Sequence, residues 1–302
     1  MNHRHLSAAR CDEQVTVQGF WSGRPLTPLH WACLRSFLHL GYQFAVYSYD
    51  PLTVPAGIRL EDANAIVPSR DVFYFENRET RSRDIAPFAD YFRLRLLYEV
   101  GGWYCDIDTV CLSPHLPPGP RVWARQCPEL DRDSISNGQL FFEKTDPLVL
   151  TLLERCDRIR RNLPRRESLG PMLLSAVIKE HRLPQDMGAT ASTFYPIRWV
   201  EVFMLWLPEF RDMVEQRVAG AIFLPLFQSF PEYIGLEAGR LPPEGSYLSC
   251  LLRRFVPECT GPRHDASDVR RLTWRWLRGS GSWAVDWLTT LHGPRILARL
   301  DR

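Results

Sequence analysis

The segment DYFRLRLLYEVGGWYCDIDTV, residues 90–110, combines a helical pattern, a glycine turn and a strand within a short stretch. Its apolar residues first recur at helical spacing, and Gly101 and Gly102 can then end a helix and turn the chain tightly. The aromatic run that follows predicts a buried strand ending in Asp106 and Asp108. This succession of helix, turn, strand and carboxylate pair is the main signal for both the fold class and the site.

The residues before this segment show the same alternation. Residues 15–21 predict a short buried strand, and residues 43–50 predict a second strand rich in aromatic and branched side chains. Between them, Thr27 can cap a helix, Pro28 suits its first position and Gly41 can close its end. A strand, a helix and a strand of these lengths form a βαβ unit, which predicts a parallel sheet with right-handed crossovers.

The pattern continues downstream with weaker signals. Residues 71–83 mix aromatic and charged side chains and are predicted to form a loop. Further elements are predicted as strands at 122–126 and 138–144 and as helices at 146–160 and 168–181. We therefore expect an α/β fold with a sheet flanked by helices in a domain of residues 1–261, followed by a helical tail.

Composition excludes several classes of protein. The chain has 302 residues, 45% of them hydrophobic, and its net charge of +2 gives no support for a nucleic-acid-binding protein. The N-terminal residues are polar and do not resemble a secretory signal, and no apolar run approaches the length of a transmembrane helix. The chain contains no Cys-x-x-Cys pair, so the sequence indicates neither a zinc ribbon nor a redox site. The expected location is the cytoplasm.

The two carboxylates at the strand end require an explanation. Residues i and i+2 of a strand point to the same side, so Asp106 and Asp108 are expected to face together. Two carboxylates cannot both lose water without a counter-charge, and hard oxygen ligands favour Mn²⁺ or Mg²⁺. Ligands bind at the carboxyl ends of strands in open α/β sheets. The pair therefore predicts a cation that binds a phosphate-bearing substrate and neutralises a departing diphosphate.

Three neighbouring side chains extend this cluster. Asp90 and Arg93 are three residues apart and share one face of the preceding helix. Tyr104 lies two residues before Asp106 and is expected on the same side of the strand.

The block from residue 90 to 108 is much more specific than its aspartates alone. Its pattern of Asp-x-x-Arg, a helix, Gly-Gly-x-Tyr and Asp-x-Asp resembles the sugar-binding region of DXD-containing glycosyltransferases. Relatives include capsular-polysaccharide transferases, yeast mannosyltransferases, the α-galactosyltransferases of glycolipid synthesis and the glucosylating domain of large clostridial toxins. The resemblance covers residues 15–50 loosely and 84–112 closely. It implies the GT-A type fold, a Rossmann-like mixed sheet, and metal-dependent transfer of a nucleotide-activated hexose with retention.

The resemblance also implies individual roles. Asp90 and Arg93 correspond to the pair that contacts the transferred sugar. Asp106 corresponds to the ribose and sugar contact that reaches the metal, often through water, and Asp108 to the direct metal ligand. Trp21 corresponds to the aromatic residue that stacks on the nucleotide base, and Tyr104 corresponds to a nucleotide contact.

Two later segments complete the predicted site. Asn137 and Gly138 precede a strand at a position where family members contact substrate. Relatives commonly have a His-Leu-Trp-Asn type segment that completes the metal site, and residues 225–228 of this chain depart from it. Gln228 is the expected substrate contact there. The third metal ligand is left open between Gln228, Ser229 and water.

The tail, residues 262–302, has two interpretations. It carries Trp274, Trp276, Trp283 and Trp287 among arginines, a combination that suits a membrane interface. The alternative, which we favour, is that these tryptophans pack on the protein's own core, because Trp is heavily buried on average. Membrane contact would place the chain at the inner face of the membrane with a lipid-linked acceptor.

The sequence thus predicts a retaining hexosyltransferase of polysaccharide or glycoconjugate synthesis, with a UDP- or GDP-linked donor and a saccharide or lipid-linked acceptor. One alternative is a phosphatase of the haloacid-dehalogenase type with Asp106 as nucleophile, since DIDTV also fits that motif. That motif needs a later acidic pair, which the chain lacks. The other alternative is a non-catalytic nucleotide-sugar binding protein, which both retained aspartates disfavour.

Overall fold

The computed structural model describes residues 15–76, 83–126, 135–279 and 300. The strands in these parts are β1 Thr16–Phe20, β2 Gln43–Ser48, β3 Arg59–Asp62, β4 Phe75–Glu76, β5 Arg83–Asp84, β6 Gly102–Cys105, β7 Thr109–Cys111, β8 Arg121–Val122, β9 Gln139–Phe142 and β10 Phe223–Pro225. The α-helices are α1 Pro28–His39, α2 Ala86–Glu99, α3 Pro147–Ile159, α4 Pro171–Glu180, α5 Ala191–Phe194, α6 Phe203–Trp206, α7 Arg211–Val218, α8 Phe230–Ile234, α9 Tyr247–Phe255 and α10 Ala266–Gly279.

The centre of the fold is a mixed sheet of six strands in the order β3-β2-β1-β6-β9-β8. The first four of these pair in parallel, and β9 runs antiparallel to both β6 and β8. Helix α1 connects the parallel strands β1 and β2, as the predicted βαβ unit requires. The predicted α/β class, a mixed sheet flanked by helices, is confirmed.

Helix α1 begins and ends where the sequence signals predicted. The Thr27 side chain accepts a hydrogen bond from the His30 backbone N–H, and Pro28 occupies the first helical position. Gly41 has a φ of +86°, a left-handed conformation that favours glycine over other residues. One side of the helix is buried against the sheet and places Thr27 at the carboxyl end of β1.

Strand β6 sorts its side chains between the two faces of the sheet. Trp103 and Cys105 pack on one face, and Tyr104 packs on the other with the apolar residues of α2. Phe92 of α2 stacks on Phe20 of β1, with ring centroids 4.3 Å apart, and this fixes the helix over that face. Since α2 covers the face to which Tyr104 points, its polar residues come to lie above the end of β6.

The Asp-Ile-Asp segment is a turn, and its predicted position within a strand is wrong. Strand β6 ends at Cys105, and the Thr109 N–H donates to the Asp106 carbonyl across 3.1 Å. The chain turns here because β7 leaves the central sheet and pairs antiparallel with β10. Ile107 is still buried, while Asp106 and Asp108 are both partly exposed, so the two carboxylates remain at the surface of the cleft.

Other differences from the prediction are local. The predicted loop at 71–83 contains a small hairpin of β4 and β5, whose connection, residues 77–82, lies outside the described residues. The predicted strand at 122–126 is reduced to the short β8. Helix α4 begins at Pro171, three residues later than expected.

The described part of the tail packs on the protein's own core. The Trp276 ring contacts Trp199 and Phe230 at centroid distances of 5.3 and 5.6 Å. The Trp274 indole N–H donates to the Leu300 carbonyl across 3.0 Å. For these two tryptophans the favoured interpretation, packing on the core, agrees with the structure.

The other predicted features of the tail are not described. Trp283 and Trp287 lie outside the described residues, and the boundary between 261 and 262 stays a prediction. Within the described residues, no helix has both the length and the apolar character needed to cross a membrane.

Candidate active site

The core of the site is a buried arginine that binds two carboxylates. The Arg93 side chain on α2 is only 5% exposed, and its Nη2 lies 2.6 Å from Asp106 Oδ1. Its Nη1 is 3.3 Å from Asp90 Oδ1, one helical turn earlier. The guanidinium carbon stands 4.6 Å from the centroid of the Tyr104 ring, and the Tyr104 hydroxyl donates to Asp106 Oδ1 across 3.3 Å. The predicted cluster is therefore assembled around Arg93.

The charges of this cluster are adjusted by burial and by one another. Burial raises the pKa of Asp90 to about 6, although Arg93 and a hydrogen bond from Asn137 oppose the rise. Burial also raises the pKa of Asp106, and Arg93 again opposes the change. Burial by itself would lower the pKa of Arg93, but Asp106, Tyr104 and Asp90 together raise it above its ordinary value. Arg93 is thus a permanent cation at the base of the site.

Residues after β8 close the site from a second side. The Asn137 side-chain amide donates to Asp90 Oδ1 across 2.7 Å, and the Asp106 N–H donates to the Gly138 carbonyl across 2.8 Å. A Cβ on Gly138 would stand 2.9 Å from Asp106 Oδ2. A Cβ on Gly170, just before α4, would stand 2.4 Å from Asp90 Oδ2. Both carboxylates are therefore approached by backbone that has no room for a side chain.

Asp108 is held by the segment that follows β10. The Leu226 N–H donates to the Asp108 carbonyl across 2.9 Å, and the Gln228 N–H donates to Asp108 Oδ2 across 3.1 Å. Burial and the neighbouring charge of Asp106 raise the pKa of Asp108 to about 6, and the Gln228 N–H opposes this rise. The pairing of β10 with β7 thus brings Gln228 to the carboxylate pair.

A chain of contacts leads from Asp108 to Trp21. The Thr27 hydroxyl donates to Gln228 Oε1 across 2.8 Å and lies 2.9 Å from His30 Nδ1. His30 Nδ1 accepts from the Thr27 N–H, and the His30 ring packs on Trp21 with centroids 4.6 Å apart. Burial lowers the pKa of His30 to about 4, so the ring is neutral at pH 7. Trp21, directly after β1, is thereby linked to the same end of the sheet as Asp108.

The donor atoms suit a hard divalent cation bound jointly by protein and substrate. The described residues contain no group of three or more His, Cys, Asp or Glu side chains placed to bind a metal. The side-chain and backbone donors named above bind Oδ1 of Asp106 and Oδ2 of Asp108. Gln228 Oε1 accepts from Thr27, which leaves its buried Nε2 without a partner among the described residues. Two carboxylate ligands completed by diphosphate and water suit Mg²⁺ or Mn²⁺.

Several residues near the site had no recognisable signal in the sequence. Arg166 pairs with Asp84, and its charge slightly opposes the raised pKa of the buried Asp90. Tyr195 is buried with its hydroxyl 3.6 Å from where a Gly138 Cβ would stand. These contacts join segments far apart in the chain, so periodicity and spacing could not indicate them.

One protein family matches the central part of the chain. Residues 39–126 match the family described as the glycosyltransferase sugar-binding region containing the DXD motif. They include Asp90, Arg93, Tyr104, Asp106 and Asp108, whereas Trp21, Asn137, Gly138 and Gln228 lie outside the match. The predicted resemblance to DXD-containing glycosyltransferases is confirmed over this region.

The solved structures that the chain matches include three glycosyltransferases. The PaToxG glycosyltransferase is 15% identical, covers 56% of this chain and 69% of its own, and gives a TM-score of 0.40. GlyE of Streptococcus pneumoniae TIGR4, in its apo form, is 12% identical and covers 88% of this chain and 64% of its own, with a TM-score of 0.41. The bifunctional WbbM is 12% identical and covers 88% and 53%, with a TM-score of 0.37. No curated protein matches the chain.

Proposed function

We propose that this protein is a metal-dependent, retaining glycosyltransferase that moves a hexose from a UDP- or GDP-linked donor to a saccharide or lipid-linked acceptor. The observation that carries the proposal is the cluster in which buried Arg93 binds Asp90 and Asp106 beside Asp108. The family match over residues 39–126 supports the same reaction class. Such a reaction belongs to polysaccharide or glycoconjugate synthesis, and the cytoplasm remains the expected location.

The carboxylate pair has the donor set for the cation. Asp108 would bind Mn²⁺ or Mg²⁺ directly, and Asp106 would reach it through its second oxygen or through water. When bound, the cation neutralises negative charge on the departing diphosphate. Burial and, after it, the charge of Asp106 raise the pKa of Asp108 to about 6, and a cation would offset the cost of keeping both carboxylates ionised there.

The protein's own groups orient the donor. Arg93 is held by Asp106, Asp90 and the Tyr104 ring, so its position does not depend on the substrate. A fixed arginine and the Asp90 carboxylate can bind the hydroxyls of a sugar ring in one orientation, which lowers the entropy cost of reaching the transition state. Trp21 would stack on the nucleotide base from the carboxyl end of β1.

Gln228 contributes a hydrogen-bond donor. Its Oε1 accepts from Thr27 and its backbone N–H donates to Asp108, so its position is fixed at two points. The buried Nε2, without a partner in the described part of the chain, is suited to donate to the donor diphosphate. These contacts support Gln228 as a substrate contact.

Calorimetric binding of UDP and GDP, with and without Mn²⁺, tests the proposal on wild type and on Asp108→Asn. We expect one nucleotide to bind only with the cation and the Asp108→Asn protein to lose that binding. The nucleotide that binds identifies the base and narrows the donor sugars to be assayed for transfer. Absence of binding by folded wild type with fresh metal would contradict the proposal, and phosphate release from phosphomonoesters would then test the phosphatase alternative.

A further inference from the structure

Helix α10 divides its side chains sharply between the core and the surface. Val269, Thr273 and Leu277 are buried, and the Trp276 ring turns inward against Trp199. Successive residues of an α-helix are 100° apart, so Arg271 lies on the side opposite to these buried residues. Arg275 and Arg278, four and seven residues later, lie in the same row. The surface of α10 therefore carries a row of arginines, with Trp276 packed inside and Trp274 half-buried beside the row.

This row, Arg271, Arg275 and Arg278, is named here the α10 basic face. All three residues are exposed. Arg271 pairs with Asp268 across 2.7 Å, whereas Arg275 and Arg278 have no acidic partner among the residues that the structure describes. The face lines a shallow groove of 590 Å³ together with Ser267, Arg270 and Trp274. Arg270 of the groove pairs with Glu209, so in the described part of the chain Arg275 and Arg278 are the guanidinium groups of this face that no carboxylate neutralises.

The positive charge of the whole chain is also concentrated in the tail, which contains α10. Residues 262–302 contain eight arginines and four aspartates, a net charge of +4, although the complete chain carries only +2. The remaining 261 residues are therefore slightly acidic, with a net charge of −2. A basic end on an otherwise weakly acidic protein orients the molecule in the field of a negatively charged surface.

We propose that the α10 basic face docks on an anionic lipid membrane through the phosphate groups of the lipids. Guanidinium groups bind phosphate oxygens bidentately, and each arginine near the surface of an anionic bilayer adds to the free energy of membrane binding. A nucleic-acid site commonly adds free aromatic faces that stack on bases, whereas here Trp276 is turned inward and the Trp274 ring already lies against the Arg278 guanidinium. The contact that we propose is electrostatic, because Trp274 and Trp276, the two described tryptophans of the tail, are used for packing. The inference does not depend on the proposed transferase activity.

Co-sedimentation with lipid vesicles tests the proposal on the full-length protein. The variant Arg271→Gln/Arg275→Gln/Arg278→Gln removes the face and keeps good helix formers on α10. The matched control, Arg70→Gln/Arg158→Gln/Arg161→Gln, changes the net charge equally at three exposed arginines outside the tail. Both are compared with wild type on neutral phosphatidylcholine vesicles and on vesicles containing roughly a third phosphatidylglycerol.

We expect wild type and the control variant to bind the anionic vesicles and not the neutral ones, and to dissociate as salt is raised. The α10 variant should partition about a hundredfold more weakly. Equal binding of the two variants would overturn the proposal, and so would equal binding of wild type to neutral and anionic vesicles. Binding to a single-stranded oligonucleotide in the absence of vesicle binding would assign the face to nucleic acid instead.

Discussion

Arg93 Nη2 lies 2.6 Å from Asp106 Oδ1, although the two residues belong to different elements and are thirteen positions apart. Helix α2 crosses the sheet on the face of Tyr104, and this crossing sets the distance between the guanidinium and the carboxylate. The pair depends on the planar shape of arginine, because the same group also reaches Asp90 and lies over an aromatic ring. This dependence leads to the first prediction.

Arg93→Lys should weaken both the fold and donor binding although it keeps the positive charge. A lysine ammonium cannot bind both carboxylates in the same geometry or stack on Tyr104 as a plane. We expect the free energy of unfolding to fall by about 2 kcal/mol, the contribution typical of a hydrogen bond to a charged group. Urea unfolding measures this effect, and the donor KM should rise about tenfold.

The matched control for this change is Arg95→Lys on the same helix. Arg95 pairs with Glu99 across 2.6 Å at the surface, where such pairs contribute little. The free energy of unfolding of the Arg95→Lys variant should differ from that of wild type by less than about 0.5 kcal/mol, and its donor KM should not change. If both variants behaved alike, the special geometry assigned to Arg93 would be wrong.

Asp108→Asn should abolish metal-dependent nucleotide binding without loss of stability. Asparagine has the same shape and can still accept from the Gln228 N–H, so the turn should remain intact. Removal of a carboxylate whose pKa burial and Asp106 raise to about 6 relieves an unfavourable charge at pH 7. We expect nucleotide affinity in Mn²⁺ to fall at least about a hundredfold. In a thermal scan without metal, Tm should equal or exceed that of wild type.

Much of the sheet and the first half of the site could be predicted because their signals are local. The Thr27 cap, Pro28 and Gly41 fix the limits of α1 within a few residues of sequence. In the same way, Gly101, with a φ of +75°, marks the turn into β6. Where a cap or a left-handed glycine decides the backbone, the sequence alone carries the information.

The remainder depends on contacts between distant segments. The hydrogen bond from Thr27 to Gln228 joins residues 201 positions apart, and no periodicity indicates it. The Asp-Ile-Asp segment looks like the end of a strand, yet it turns because β7 pairs with β10, more than a hundred residues later. Between residues 191 and 234 the helices α5 to α8 have eight residues or fewer, so the helical spacing that reveals α1 has no length over which to repeat.

His30 should make the protein less stable as pH falls from about 6.5 to about 4. Its pKa in the folded protein is lowered to about 4 by burial, whereas an unfolded histidine titrates near 6.5. Below pH 6.5 the unfolded chain therefore binds a proton that the folded protein does not, and stability decreases until both states are protonated. The loss amounts to about 3 kcal/mol at most. Urea unfolding across this pH range measures it.

The variant His30→Gln isolates this effect. Glutamine is the usual partner of threonine in a capping box, so it can accept from the Thr27 N–H as the imidazole does. The variant should lose most of the decrease in stability between pH 6.5 and 4. An unchanged decrease in the folded variant would assign the acid sensitivity to other groups.

Gly170→Ala should strongly reduce sugar transfer through the position of Asp90. A Cβ at residue 170 would stand 2.4 Å from Asp90 Oδ2 and 2.9 Å from Asn137 Nδ2, so the carboxylate or the start of α4 must move. Displacement of a substrate-positioning group by about 1 Å can cost a hundredfold in rate. We therefore expect about a hundredfold lower transfer, with metal-dependent nucleotide binding retained because Asp108 is not touched.

The comparison with Gly279→Ala distinguishes this steric cause from a general effect of replacing glycine. Gly279 ends α10, and a Cβ there would meet none of the described residues within 4 Å, so its alanine variant should transfer sugar at the wild-type rate. Nucleotide binding and transfer are measured on both variants, which separates damage at Asp90 from unfolding. If Gly170→Ala bound nucleotide and transferred sugar normally, Asp90 would not need its present position, and its role in holding the sugar would have to be abandoned.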